Sequence, residues 1–185
     1  MRFLICFLLI AAVIKAQYQI TTSPASFSWV DISGTGASFN PADDNQHDII
    51  LANPVWFGGN SSNRLRVGNN GAVLFDQVAG TVDAINREMT HASTPDLFIA
   101  PFWDDLDNNG GLIYYGDHPT DPDKYVITWS GISHFDNIGA ATFQVIFSES
   151  SNDMKFQYLD ADFGDAQYSY GASASVGVRQ SSSKT

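Results

Sequence analysis

The chain has almost no cysteine. Its single cysteine, Cys6, lies within the first 16 residues, "MRFLICFLLIAAVIKA", which have the basic start, apolar run and small final residue typical of a secretory signal peptide. Cleavage there would leave a chain without cysteine, which no disulfide could stabilise. The apolar run ends at Lys15 and is shorter than the roughly 20 residues that span a membrane. We therefore expect a secreted, extracellular protein with no membrane insertion after signal cleavage.

Positive charge is also scarce. The sequence has 9 Lys and Arg against 20 Asp and Glu, a net charge of −11. Removing residues 1–16 takes away Arg2 and Lys15, which changes the net charge to −13. Nucleic acids and anionic membranes bind clustered Lys and Arg, so this composition excludes both as main partners.

Catalytic motifs are missing as well. His47, His91, His118 and His134 are scattered without the spacing of a zinc site, so we expect them at the surface or in turns. No Gly-x-Ser-x-Gly elbow occurs. Two carboxylates could serve a glycosidase, but nothing selects a pair from 20 acidic residues. We expect a protein that is not an enzyme.

Strand signals recur about every 10 to 12 residues. In "KYVITWSG", Tyr125, Ile127 and Trp129 alternate with the residues between them, the period of two that belongs to strands. "RLRVGNNGAVLFD" predicts a hairpin, because Asn and Gly accept the backbone angles of a tight turn. Residues 80–96 could hold a long loop or one helical turn. The pattern predicts an all-β, single-domain antiparallel β-sandwich of roughly ten strands.

Several segments in order resemble a known extracellular family. "VWFGGNSSNRLRVGNNGAVLF", "FIAPFWDDLDNNGGLIYYG" and "YVITWSG" resemble the nidogen-like extracellular β domain and its bacterial secreted relatives, with "APFW-D" the most specific part. The resemblance implies a matrix, adhesion or surface module without catalytic residues. Together with the N-terminal apolar stretch and the polar C-terminus, this predicts a signal peptide (1–16), N-terminal strands of the sandwich (17–53), the nidogen-like region (54–180) and a frayed tail (181–185).

The stretch "DDLDNNGG" is a candidate metal site. Asp104, Asp105, Asp107 and Asn109 offer only oxygen donors, which suit calcium. The spacing copies the start of an EF-hand loop, but the position of its final Glu is occupied by Gly116. Two alternatives remain open, a calcium site completed by carbonyl groups or by a second loop such as "DADFGD" (160–165), and a solvated turn.

Two further residues are candidate sites. Phe102 and Trp103 should point to opposite faces of their strand, and an exposed Trp103 could stack on a sugar ring. Core packing is the alternative for this indole. Asn60 begins the sequon Asn60-Ser61-Ser62 and is a candidate glycosylation site.

Two kinds of function remain. The first is a secreted module for adhesion or recognition that binds an extracellular protein or glycan, with calcium as a candidate stabilising ion. The second is a structural subunit that self-associates into a matrix, coat or fibre. For the second, the strand-prone stretch "YQITTSPASFSWVDI" (18–32) could add to the sheet edge of a neighbour, or form an edge strand of its own sandwich.

Overall fold

A computed structural model describes residues 27–76, 80–107 and 109–180. It confirms the all-β antiparallel sandwich. Eleven strands form in the described residues: β1 (Ala37–Phe39), β2 (Gln46–Phe57), β3 (Asn60–Gly68), β4 (Val73–Phe75), β5 (Phe98–Trp103), β6 (Leu106–Asp107), β7 (Leu112–Asp117), β8 (Lys124–His134), β9 (Ile138–Ser148), β10 (Met154–Asp160) and β11 (Ser175–Arg179). Short 3₁₀ helices occupy Phe135–Asn137 and Ser169–Gly171.

The strands form two antiparallel sheets. Sheet A has the order β1-β7-β8-β9-β10, with β6 also paired to β8, and sheet B has the order β11-β5-β4-β3-β2. Both sheets contribute to one apolar core. The predicted boundary between residues 53 and 54 lies inside β2. The predicted signal peptide and C-terminal tail lie outside the described residues.

Alternation along the strands builds the core. Tyr125, Ile127 and Trp129 of β8 are all buried in it, as the period of two predicts. The Trp129 ring stacks on Phe143 with centroids 5.0 Å apart, and Phe143 in turn stacks on Phe102 of the opposite sheet at 5.3 Å. Aromatic side chains thus join the two sheets.

The predicted hairpin after β3 is confirmed by the pairing of β3 with β4. Its turn requires glycine at position 71 for two reasons. Gly71 has a φ of +72°, and a Cβ at this position would lie 1.8 Å from the carbonyl oxygen of Phe102. The turn therefore sits directly against the end of β5.

A chain segment covers part of the outer face of each sheet. Residues 80–97 form a loop without helix, and Val82 packs there against the outward side chains of sheet B, including Trp103. On sheet A, a strap (residues 28–36) places Val30 and Ile32 against Val126. Residues 28–36 contain no strand, and residues 18–26 of the proposed N-terminal strand lie outside the described chain.

Candidate functional site

The loops that carry Asp104, Asp105 and Asp107 meet at one end of the sandwich, here called the loop end. It comprises residues 40–45, 69–72, 104–107, 135–137 and 161–174. The pairing registers place these segments together, since Leu106 lies opposite His134 and Asp160 lies opposite Thr142. The antiparallel topology brings them together although they are far apart in the sequence.

Two asparagines of the hairpin turn hold the acidic stretch in place. The amide N–H of Leu106 donates to Asn70 Oδ1 (2.9 Å), and Asn70 Nδ2 donates to Asp44 Oδ1 (2.9 Å). Asn69 Nδ2 donates to the carbonyl oxygen of Leu106 (2.5 Å). The sequence indicated only turn residues here. Their side chains also connect residues 43–44 to residues 104–107.

Asp104 is an anchor inside the loop end. Its side chain is buried and accepts hydrogen bonds from the hydroxyl of Ser173 and from the amide N–H of Asp105. His134 Nε2 lies 3.7 Å from Asp104 Oδ2, and the His134 ring stacks on Tyr168 with centroids 3.9 Å apart. Sequence reasoning took His134 for a surface or turn residue. That interpretation was wrong, because the 161–174 loop covers this histidine.

The remaining carboxylates lie close enough to repel one another. Burial raises the pKa of Asp105, and the charge of Asp44 raises it further. Burial likewise raises the pKa of Asp43, and repulsion from Asp44 and Asp107 raises this pKa further. Residues 43–44 therefore supply the acidic neighbours of the "DDLDNNGG" stretch, a contribution that sequence reasoning missed.

Within the described ranges, no three His, Cys, Asp or Glu side chains are placed to hold one metal ion. Asp104 is already engaged by Ser173, and Asn109 is exposed. Calcium binding at Asp104, Asp105, Asp107 and Asn109 stays a prediction from the sequence.

Trp103 lies beneath the 80–97 segment. Its indole is fully buried, and its Nε1 donates to the carbonyl oxygen of Asp83 (2.6 Å). The Arg87 guanidinium lies 5.6 Å from the ring centroid. Phe102 points to the opposite side, into the core, as the strand period predicted. In this arrangement the Trp103 ring offers no surface on which a sugar could stack.

The loop end instead presents another aromatic residue. Tyr170 is 78% exposed, and its hydroxyl donates to Asp162 Oδ2 (2.8 Å). Asp162 Oδ1 also accepts from Ser169 Oγ and from the amide N–H of Gly164 (both 2.8 Å). The pKa of Asp162 is lowered by these hydrogen bonds. The bond from Gly164 has the largest effect, followed by those from Tyr170 and Ser169. Sequence reasoning considered residues 160–165 only as metal ligands and missed Tyr170.

The backbone of Tyr170 is also unusual. Its φ is +58°, an outlier for a bulky residue. Leu97 has a similar φ of +52°, but its side chain packs on the core. Core packing therefore accounts for the positive φ of Leu97, whereas Tyr170 has no such packing to account for its positive φ. Strained residues of this kind are concentrated at functional sites.

Asn60 lies at the opposite end of the sandwich. It is exposed and begins β3 directly after the Gly58-Gly59 turn. Its Nδ2 donates to the carbonyl oxygen of Gly58 (3.3 Å). A glycan here would extend away from residues 104–107 and 161–174. Its attachment stays a prediction.

Two packed antiparallel sheets with loops gathered at their ends define a β-sandwich module. The family model described as "NIDO related" matches residues 17–185, and the chain belongs to this family. The match confirms the nidogen-like resemblance and indicates an extracellular module of a non-enzymatic type. No curated protein and no solved structure matched the chain. The described residues contain no helix long and apolar enough to cross a membrane.

Proposed function

We propose that this protein is a secreted, non-enzymatic recognition module that binds an extracellular protein or glycan through its loop end. Membership of the NIDO-related family supports an extracellular setting. The apolar, cysteine-bearing N-terminal stretch supports secretion. The absence of a recognisable catalytic motif in the sequence favours binding over catalysis.

The observation that carries the proposal is the placement of Tyr170. Chain segments cover part of the outer face of each sheet, with Val82 packed on sheet B and Val30 on sheet A. Tyr170 stands at an end of the sandwich and keeps most of its ring in solvent. A partner can therefore reach this ring without displacing a packed segment.

The chemistry of this position suits recognition. The bond from the Tyr170 hydroxyl to Asp162 fixes the ring, so little side-chain freedom is lost when a ligand binds. Tyrosine offers an apolar face together with a polar tip, which is why it is enriched at interfaces. Phe135, 47% exposed, adds a second aromatic ring at the same end.

Binding to arrays of extracellular glycans and purified matrix proteins tests the proposal. We expect the unmodified chain to bind members of one array and Tyr170→Ala to bind them at least about tenfold more weakly, as for an interface hot spot. Ile85→Ala is the matched control, because Ile85 is 69% exposed but lies on the 80–97 segment. Its binding should be unchanged. Absence of binding to both arrays, or equal binding by Tyr170→Ala, would contradict the proposal.

A further inference from the structure

The tripeptide Asn-Asn-Gly occurs twice in this chain, at residues 69–71 and 108–110. Each copy ends in an Asn-Gly pair, Asn70-Gly71 in the first and Asn109-Gly110 in the second. The two pairs have the same local sequence. Any difference in their chemical reactivity therefore comes from the structure around them.

An Asn-Gly pair has an intrinsic reaction of its own. The backbone nitrogen of the glycine attacks Cγ of the asparagine side chain and closes a succinimide ring, while the side-chain NH₂ leaves with the glycine N–H proton as ammonia. Water then opens the ring at either carbonyl carbon, which gives aspartate or isoaspartate. Asparagine is among the thermolabile residues, and a following glycine favours the reaction because it has no Cβ to obstruct the ring.

The first pair is held against this reaction. Asn70 is fully buried, and its side-chain Oδ1 accepts from the amide N–H of Leu106 (2.9 Å) while Nδ2 donates to Asp44 Oδ1 (2.9 Å). The carbonyl oxygen of Asn70 also accepts from the amide N–H of Asp104 (3.3 Å). Rotation of the side chain toward the nitrogen of Gly71 would break bonds in a site without water, which opposes ring closure.

The second pair has none of these restraints among the described residues. Asn109 and Gly110 are both exposed. Neither the side-chain amide of Asn109 nor the backbone N–H of Gly110 forms a hydrogen bond with another residue that the structure describes. A Cβ at Gly110 would meet no atom within 4 Å. The space that the succinimide ring and the attacking water need is therefore present.

The chain is anchored immediately after this pair. Gly111 is buried, and a Cβ there would lie 2.5 Å from the carbonyl oxygen of Gly131. Leu112 then begins β7. The close contact with β8 thus starts one residue beyond Gly110, so that ring closure at Asn109 leaves the strands in place.

We propose that Asn109 is a site of spontaneous deamidation, at which the folded protein accumulates aspartate and isoaspartate. Both products carry a carboxylate, so each adds a negative charge to the acidic stretch that holds Asp105 and Asp107. The isoaspartate product also adds a main-chain carbon between β6 and β7. The charge of the loop end therefore changes as the protein ages. This inference is independent of ligand binding at Tyr170.

Peptide mapping by mass spectrometry, after incubation of the purified chain in mildly alkaline buffer, measures both pairs in one sample. Base favours the reaction because the attacking nitrogen must lose its proton. We expect Asn109 to convert at least about tenfold faster than Asn70, since the hydrogen bonds of Asn70 must open before it reacts. Fragmentation by electron transfer distinguishes aspartate from isoaspartate. Asn70 is thus a matched control within the same chain.

A parallel incubation in concentrated urea removes the protection given by the fold. Both pairs should then convert at similar rates, because their local sequences are the same. Asn109→Gln should abolish the more acidic form that anion-exchange chromatography separates from the folded chain, since the longer side chain closes a ring far more slowly. The proposal would be overturned if Asn109 stayed unmodified in the folded chain while the urea sample converted. Equal conversion of Asn70 and Asn109 in the folded chain would overturn it as well.

Discussion

The indole nitrogen of Trp129 in sheet A donates to the carbonyl oxygen of Gly68 in sheet B, 2.9 Å away in the buried space between the sheets. Gly68 is the last residue of β3 and immediately precedes Asn69 and Asn70. A core tryptophan therefore fixes the turn whose side chains hold the acidic loop end. Fold stability and the geometry of the candidate site are linked through this bond.

Replacing Trp129 with Phe should lower the free energy of unfolding by about 1–3 kcal/mol, because a buried carbonyl loses its donor. Urea denaturation measures this change. Trp56→Phe is the matched control, since Trp56 Nε1 also donates to a carbonyl, that of Glu149 (2.9 Å), but at a partly exposed site. If Trp56→Phe lowered the free energy of unfolding as much as Trp129→Phe does, the importance assigned to the inter-sheet bond would be contradicted.

Gly71→Ala should destabilise the fold by about 3 kcal/mol or more, because steric overlap adds to the strain of a positive φ. The added Cβ would overlap the Phe102 carbonyl. Gly110→Ala is the control, because Gly110 also has a positive φ (+101°) but no atom within 4 Å of the added Cβ. We expect a loss of about 1 kcal/mol there. Similar melting temperatures for the two variants would refute the close contact between the turn and β5.

Calcium should raise the melting temperature if the acidic stretch binds it, because a ligand stabilises only the state that binds it. Scanning calorimetry in millimolar calcium and in excess chelator measures the shift. The Asp105→Asn/Asp107→Asn double variant should lose the shift while it remains folded. An equal melting temperature in calcium and chelator for the unmodified chain would exclude the ion site.

Asp105→Asn in chelator should increase stability at neutral pH. The pKa of Asp105 is raised in the folded state by burial and by Asp44, so folding favours its protonated form. The stability from this group is complete below the unfolded-state pKa and is lost as pH rises through the folded-state pKa. The advantage of the Asn variant over the unmodified chain should therefore shrink as the pH falls toward 3.

Asp162→Asn should behave in the opposite way. The pKa of Asp162 is lowered by hydrogen bonds from Gly164, Tyr170 and Ser169, so its stabilising effect is present above the unfolded-state pKa and lost as pH falls through the folded-state pKa. The variant should be less stable than the unmodified chain at pH 7, with the difference fading in acid. Melting temperatures measured from pH 3 to 7 give the difference between each Asn variant and the unmodified chain. At neutral pH this difference should be positive for Asp105→Asn and negative for Asp162→Asn. The same sign for both variants would refute these assignments.

The sequence alone determined the class of fold. Alternation at Tyr125, Ile127 and Trp129, and the Asn-Gly turn after β3, are local signals, because a strand exposes every second residue to the same face. The family resemblance rested on similarly local segments. For the same reason the opposite orientations of Phe102 and Trp103 could be predicted before any contact was known.

Only the tertiary structure decided the roles of individual site residues. Asp104 and Asp105 are neighbours in the sequence, yet Asp104 is buried against Ser173 and Asp105 lies near Asp44. Which loop covers which carboxylate depends on strand pairings between distant segments, and no local pattern encodes that choice. Burial of His134 by the 161–174 loop, and the course of the strap over the face of sheet A, follow from the same long-range packing.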